Sequence, residues 1–144
     1  MLVDFSLGEN DAVVSTLDRI NTGGEHEYTW NANIGSDKNN DGVGVSFASE
    51  GGRPSFTLKG RNGGWVKGVV MHPSNARVSG QDPLQITTRA ADCDIWVVMI
   101  VGSGASPSVK VTGNGMKSVL EAGGARVSFD ADAGRIRCAV GEAR

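Results

Sequence analysis

The clearest arrangement of residues that could do chemistry is Asp37-Lys38-Asn39-Asn40-Asp41-Gly42. Asp37, Asn39 and Asp41 place carboxylate and amide oxygens at alternate positions before a turn-permitting glycine, as in the first half of a calcium-binding loop. The second half departs from that pattern, because the twelfth position is Ala48 where a bidentate glutamate is expected. The segment therefore predicts either a calcium site or a solvated hairpin loop, in which Asp, Asn and Gly are favoured for backbone reasons.

A second set of residues has the chemistry to contact an acidic or neutral polysaccharide. Trp65 follows the glycine-rich turn Arg61-Asn62-Gly63-Gly64, His72 ends the next predicted strand, and Arg53 lies in an earlier turn. Cations pair with uronate carboxylates, and tryptophan rings stack on the faces of sugars. We therefore predict that the carbohydrate-contacting residues are Arg53, Arg61, Trp65 and His72.

Three aromatic residues, His26, Tyr28 and Trp30, alternate along one predicted strand and share one of its faces. Rings with polar tips can form a sugar platform, or they can line a core with their polar atoms hydrogen-bonded. A third interpretation is a small enzyme in which His26, Tyr28 and His72 converge on one cleft as acid and base groups.

Nucleophilic catalysis has little support in this sequence. The Gly-x-Ser-x-Gly turn of the serine hydrolases does not occur, and Gly102-Ser103-Gly104-Ala105-Ser106-Pro107 resembles it only loosely. We therefore expect the chain on its own to be non-catalytic. Cys93 and Cys138 both lie in apolar runs, which favours buried thiols and leaves a disulfide open.

The composition limits the classes of function. The net charge is −2, and the 14 Lys and Arg residues are scattered, so we expect no nucleic-acid partner. No run approaches the roughly 20 apolar residues that a membrane-spanning helix needs. The start, Met1–Asp4, lacks the basic and then apolar pattern of a secretion signal, so the signal of an exported parent protein would lie upstream.

The elements that must position these residues are short β-type runs separated by turns that are rich in the chain's 21 glycines. They predict a single all-β domain over residues 1–144, an antiparallel β-sandwich or jelly roll of roughly twelve short strands. Ala12–Ile20 and Glu25–Ile34 are predicted as separate strands joined by a turn at 21–24. The apolar run within Cys93–Val101 predicts a central strand that is buried on both faces.

Three stretches together resemble the C-terminal β-sheet domain of heparinase II/III-like polysaccharide lyases. Val13–Ile20, which contains Asp18-Arg19-Ile20, is similar to a strand of that family with an Asp-Arg-hydrophobic ending. His26–Asn33 is similar to the following aromatic strand, although Asn33 stands where histidine is common. The series from Val78 to Val101 is similar to later strands that carry a long apolar segment.

The resemblance implies an accessory domain of a secreted or periplasmic enzyme that acts on acidic glycans. In that family a helical toroid supplies most of the catalytic residues for β-elimination at a uronic acid, and this sequence contains no such toroid. The resemblance therefore assigns no catalytic residue here. It implies a missing catalytic domain as a partner. The alternative is a free-standing structural or adhesive module, such as a phage, surface or assembly protein, that self-associates through sheet edges or faces.

Overall fold

The all-β prediction is confirmed by the computed structural model, which describes residues 2–5, 10–33, 44–60, 62–81 and 83–140. Within these residues the chain forms eleven strands and one turn of 3-10 helix, Gly115–Lys117. The strands are β1 (Leu2–Phe5), β2 (Ala12–Ala32), β3 (Gly44–Glu50), β4 (Arg53–Lys59), β5 (Gly64–His72), β6 (Arg77–Ser79), β7 (Leu84–Ser103), β8 (Val109–Thr112), β9 (Val119–Ala122), β10 (Ala125–Asp130) and β11 (Arg135–Val140). In this part of the chain, no helix has the length and apolar character to cross a bilayer.

The strands form two antiparallel sheets. The first sheet has seven strands in the order β1-β2-β7-β5-β4-β3, and β6 pairs with a further stretch of β7. The second sheet is the meander β11-β10-β9-β8. Two hairpin turns, at Gly51-Gly52 and Gly123-Gly124, have positive φ at both central residues, as a type I′ turn requires.

The strands β2 and β7 are much longer than predicted, with 21 and 20 residues. The turn predicted at residues 21–24 is wrong, because the chain continues there as a bulge. Asn21 pairs with Asp92, and the regular pairing resumes at His26 with Ala90. The hydroxyl oxygens of Thr22 and Tyr28 lie 2.6 Å apart, and each lies 3.2 Å from the carbonyl oxygen of Ala91. These contacts hold the irregular backbone within a continuous ribbon.

The ribbon of β2 and β7 bends sharply near this bulge. On the edge of β7 away from β2, His72 of β5 pairs with Trp96, and Arg77 of β6 pairs with Thr87. The five residue steps between His72 and Arg77 can span at most about 18 Å. The nine steps between Thr87 and Trp96 would span about 30 Å in a straight strand. The half of β7 that pairs with β6 must therefore bend back towards the half that pairs with β5, and β6 moves with it.

Two hydrophobic clusters lie on the two faces of β7. On the first face, Trp96, Val98 and Ile100 pack with residues of the second sheet such as Leu120 and Val127. On the other face, the cluster comprises Phe56, Val70, Ala76, Leu84, Ile86, Cys93, Ile95 and Val97. The predicted burial of Cys93–Val101 on both faces is thus confirmed. Tyr28 and Trp30 pack at the margin of this second cluster.

The two cysteines lie in different sheets. Cys93 is a buried free thiol on β7 and belongs to the second cluster. Cys138, on β11, packs against the first cluster, on the opposite face of the first sheet. The first sheet therefore separates the two side chains.

An aromatic ring lies across a glycine of the neighbouring strand on each face of the first sheet. A Cβ atom added at Gly68 would lie 2.0 Å from Cζ of Phe56, and one added at Gly102 would lie 2.5 Å from Cζ2 of Trp65. Both rings are at least nine-tenths buried, so neither can move aside without leaving a packed core. Gly68 and Gly102 are needed because the absence of a side chain leaves room for these two rings.

Gly68→Ala is expected to lower the free energy of unfolding by about 2 kcal/mol or more, because the added methyl group overpacks the ring of Phe56. Gly44→Ala is the matched control, since a Cβ atom there meets nothing within 4 Å. Urea unfolding of both variants measures the difference. Equal stabilities of the two variants would contradict the packing of Phe56 on Gly68.

Candidate functional site

Two of the predicted carbohydrate-contacting residues, Trp65 and His72, do not lie in one site. Trp65 and His72 lie near opposite ends of β5, so about 23 Å of strand separates them. Arg53 lies close enough to His72 to influence the pKa of the imidazole. Arg61 falls outside the described residues, as do Asp37, Asn39 and Asp41 of the predicted calcium loop. The calcium site stays a prediction, and the described part of the chain contains no group of three or more metal-ligating side chains.

Arg53, which the sequence predicted to contact a glycan, is buried between the two sheets. Only 7% of Arg53 is exposed. Its Nη2 donates hydrogen bonds to the carbonyl oxygen of Gly113 at 3.0 Å and to Oγ of Ser118 at 3.1 Å. The guanidinium group therefore links β4 to the segment that joins β8 and β9 of the second sheet.

Trp65, which the sequence predicted to stack on a sugar, is largely buried as well. Its ring is only 6% exposed and lies in the first cluster against Gly102. In the part of the chain that the structure describes, its Nε1 has no hydrogen-bond acceptor. The sequence placed Trp65 beside a turn, which favours exposure. It did not show that Gly102, on a strand 37 positions later, leaves room for the ring.

His72 is half-buried and lines a cavity of about 310 Å³ at the bend of the ribbon, here called the bend pocket. The other lining residues are Arg19, Ile20, Asn21, Asp92, Cys93 and Asp94. Burial lowers the pKa of His72; the charge of Asp94 opposes this shift and that of Arg53 adds to it. His26 and Tyr28, the proposed partners of His72 in catalysis, do not line this pocket.

The bend pocket does not hold an activated nucleophile. Burial raises the pKa of the Cys93 thiol, and the charge of Asp94 raises it further, so the thiol is protonated at neutral pH. The carboxylate of Asp94 pairs across the strands with Arg19, whose Nε lies 2.9 Å from Oδ1. The pocket can therefore form hydrogen bonds with a small polar molecule. The groups available are a neutral imidazole, a thiol and a paired carboxylate.

A larger cavity of about 480 Å³ lies beside the turn that joins β4 to β5, and is here called the loop pocket. Its floor is a row of half-buried aliphatic side chains, because Leu58 pairs with Val66 and Val66 pairs with Val101. Its rim carries the exposed residues Asp11, Asn62 and Ser103. The remaining lining residues are Gly60, Gly64, Trp65 and Gly102.

Backbone hydrogen bonds fix the rim of the loop pocket. The amide of Gly60 donates to the carbonyl oxygen of Gly64 at 2.8 Å, which closes the turn. The amide of Gly104 donates to Gly63 at 3.2 Å, and that of Asp11 donates to Val101 at 3.0 Å. The rim segments that carry Asn62, Ser103 and Asp11 are therefore tied to the strands that form the floor. An aliphatic floor with a few convergent polar groups is the usual composition of a small-ligand site.

No protein-family model, curated protein or solved structure matches this chain. The resemblance to heparinase II/III-like domains stays a prediction from the sequence.

Arg53→Ala is expected to lower the free energy of unfolding by about 2–3 kcal/mol, because two hydrogen bonds of a buried charged group are lost. Arg89→Ala is the control: its ion pair with Glu25 is exposed, and such pairs contribute less than about 1 kcal/mol. Chemical unfolding measures both. Similar losses in the two variants would contradict a structural role for Arg53.

His72 is expected to make stability depend on pH below its ordinary pKa of 6.5. Because its pKa is lower in the folded protein, the unfolded chain takes up the proton first. The contribution of neutral His72 is therefore complete above pH 6.5 and is lost as the pH falls towards the pKa of the folded state. Unfolding of the wild type and of His72→Asn between neutral and mildly acidic pH measures this, and parallel curves would contradict it.

Proposed function

We propose that this chain is a non-catalytic β-sandwich module that contacts carbohydrate through the loop pocket. The observation that carries the proposal is the combination of the floor, Leu58, Val66 and Val101, with the exposed polar rim. Sugar rings present apolar C–H faces and hydroxyl groups at their edges. The aliphatic floor offers an apolar surface to the C–H faces, and the polar rim offers hydrogen-bonding partners to the hydroxyl groups.

The rim favours a neutral sugar over a uronic acid. Asp11 is the one charged residue in the described lining of the pocket, and a carboxylate there repels a uronate. Arg53, which the sequence assigned to uronate recognition, is buried elsewhere. The amide of Asn62 and the hydroxyl of Ser103 can both donate and accept hydrogen bonds, which suits the hydroxyl groups of a sugar.

The wider role belongs to the same proposal. The resemblance to the sheet domains of heparinase II/III-like lyases supports an accessory module of a secreted or periplasmic polysaccharide-degrading protein. On this proposal the module holds a glycan near a catalytic domain, and chemistry on the glycan takes place in that other domain.

Binding is tested by thermal unfolding with a panel of neutral oligosaccharides and uronic-acid oligosaccharides. A neutral oligosaccharide is expected to raise the midpoint of unfolding, because a ligand that binds only the folded state stabilises it. Failure of every sugar to raise the midpoint would overturn the proposal. A rise with uronic acids alone would overturn the preference for neutral sugars. Calcium in the same panel tests Asp37, Asn39 and Asp41, with Asp41→Asn as the control.

The location of the site is tested by titration calorimetry with the oligosaccharide that gives the largest shift. Asn62→Ala is expected to weaken binding roughly tenfold, because the side-chain hydrogen bonds to the sugar are lost. Asn75→Ala, at another exposed turn, is the matched control and should bind as the wild type does. Unchanged affinity in Asn62→Ala and in Ser103→Ala would place the sugar elsewhere.

A further inference from the structure

We infer that β3 is a docking edge at which two copies of this chain pair, so that their first sheets join into one. β3 is the last strand of the first sheet, and β4 is its only partner among the described residues. Its ladder with β4 runs without a bulge from Gly44 to Glu50. The outer side of such a strand presents a regular row of backbone donors and acceptors to another strand.

The other sheet edges carry the features that discourage such pairing. β1 and β8 have four residues each, and β8 contains Lys110. β11 carries Arg135 and Arg137. β6 has only three residues. Short length and charged side chains are the usual protection of an exposed edge.

β3 has neither kind of protection. Its sequence is Gly-Val-Ser-Phe-Ala-Ser-Glu, seven residues with one charge at the last position. That charge is already compensated, because Oε1 of Glu50 lies 2.5 Å from Nζ of Lys67. Five of the seven residues are exposed, with Val45 and Glu50 half-buried. β3 is thus the longest of these edges, and it has the fewest charges per residue.

Phe47, at the centre of β3, gives the edge an apolar anchor. It is 49% exposed, and no other large apolar side chain in the described residues is so exposed. Its partner across the strands is Phe56, whose ring lies over Gly68 on the far side of β4. The ring of Phe56 is therefore directed away from β3 and leaves Phe47 uncovered.

A second copy fits this edge in both register and charge. In an antiparallel pair centred on Phe47, the two Phe47 rings lie opposite each other, which is a favourable cross-strand pair. Val45 then lies opposite Ser49, and Gly44 lies opposite Glu50. No like charges meet. A two-fold pair uses the single β3 of each chain, so the assembly closes as a dimer and does not grow into a fibre.

The mass of the wild-type chain in solution, measured by light scattering and by sedimentation equilibrium, tests the inference. We expect twice the mass of one chain. Ala48→Lys puts a charge on the exposed edge of β3 and should give a single chain. Ala139→Lys makes the same change on the exposed edge strand β11 and should leave the dimer intact. Circular dichroism confirms that both variants fold.

A single chain in the wild type at every concentration would overturn the inference. A trimer, an open series of oligomers, or a dimer lost in Ala139→Lys and kept in Ala48→Lys would overturn it as well. Calorimetry with the sugar probe is independent of this test. If Ala48→Lys is a monomer and still binds the sugar, the loop pocket functions without the dimer. The two proposals can therefore fail independently.

The register is tested by mild oxidation of two cysteine variants, with the wild type as the control for its native thiols. Phe47→Cys should form a cross-linked dimer, because the two positions face each other across the two-fold axis. Ser49→Cys should not, because the two positions are displaced by four residues along the strands, about 13 Å. Cross-linking of Ser49→Cys and not of Phe47→Cys would overturn the proposed register.

Discussion

The structure depends on the burial of β7 on both of its faces. A strand with Ile95, Val97 and Cys93 on one face and Trp96, Val98 and Ile100 on the other needs an apolar layer on each side. The second sheet supplies one layer. The other is supplied largely by the first sheet itself, because the ribbon of β2 and β7 folds back with β6 and brings Leu84 and Ile86 into the same cluster as Ile95 and Val97.

The same constraint explains why two predicted binding residues are buried. Arg53 and Trp65 both lie on the face of the first sheet that meets the second sheet. Arg53 there satisfies the carbonyl oxygen of Gly113 and the hydroxyl of Ser118, and Trp65 fills the space above Gly102. Side chains that combine an apolar body with polar tips suit the margin of a core as well as they suit a ligand. Their chemistry alone did not distinguish the two uses.

The sequence predicted local features well and long-range ones poorly. The continuous apolar run of β7 and the turns at Gly51-Gly52 and Gly123-Gly124 follow from residue type, so they were predictable. Asn21–Gly24 has the composition of a turn, yet it is a bulge held by Thr22, Tyr28 and Ala91 across strands. The loop pocket was missed because Leu58, Val66 and Val101 meet only through pairing across three strands.

The loop pocket and the docking edge belong to one continuous row of side chains. Val45 of β3 pairs with Leu58, which begins the row of Leu58, Val66 and Val101 on the floor of the pocket. Antiparallel pairing about a two-fold axis perpendicular to the sheet keeps the same face outward in both copies. The dimer inferred from β3 therefore presents two loop pockets on one face. On the proposed function, a polysaccharide with repeating units would bind at both pockets, and its second contact would benefit from a raised effective concentration. On the proposed carbohydrate function, the dimer then binds a polymer more tightly than either pocket binds a short oligosaccharide.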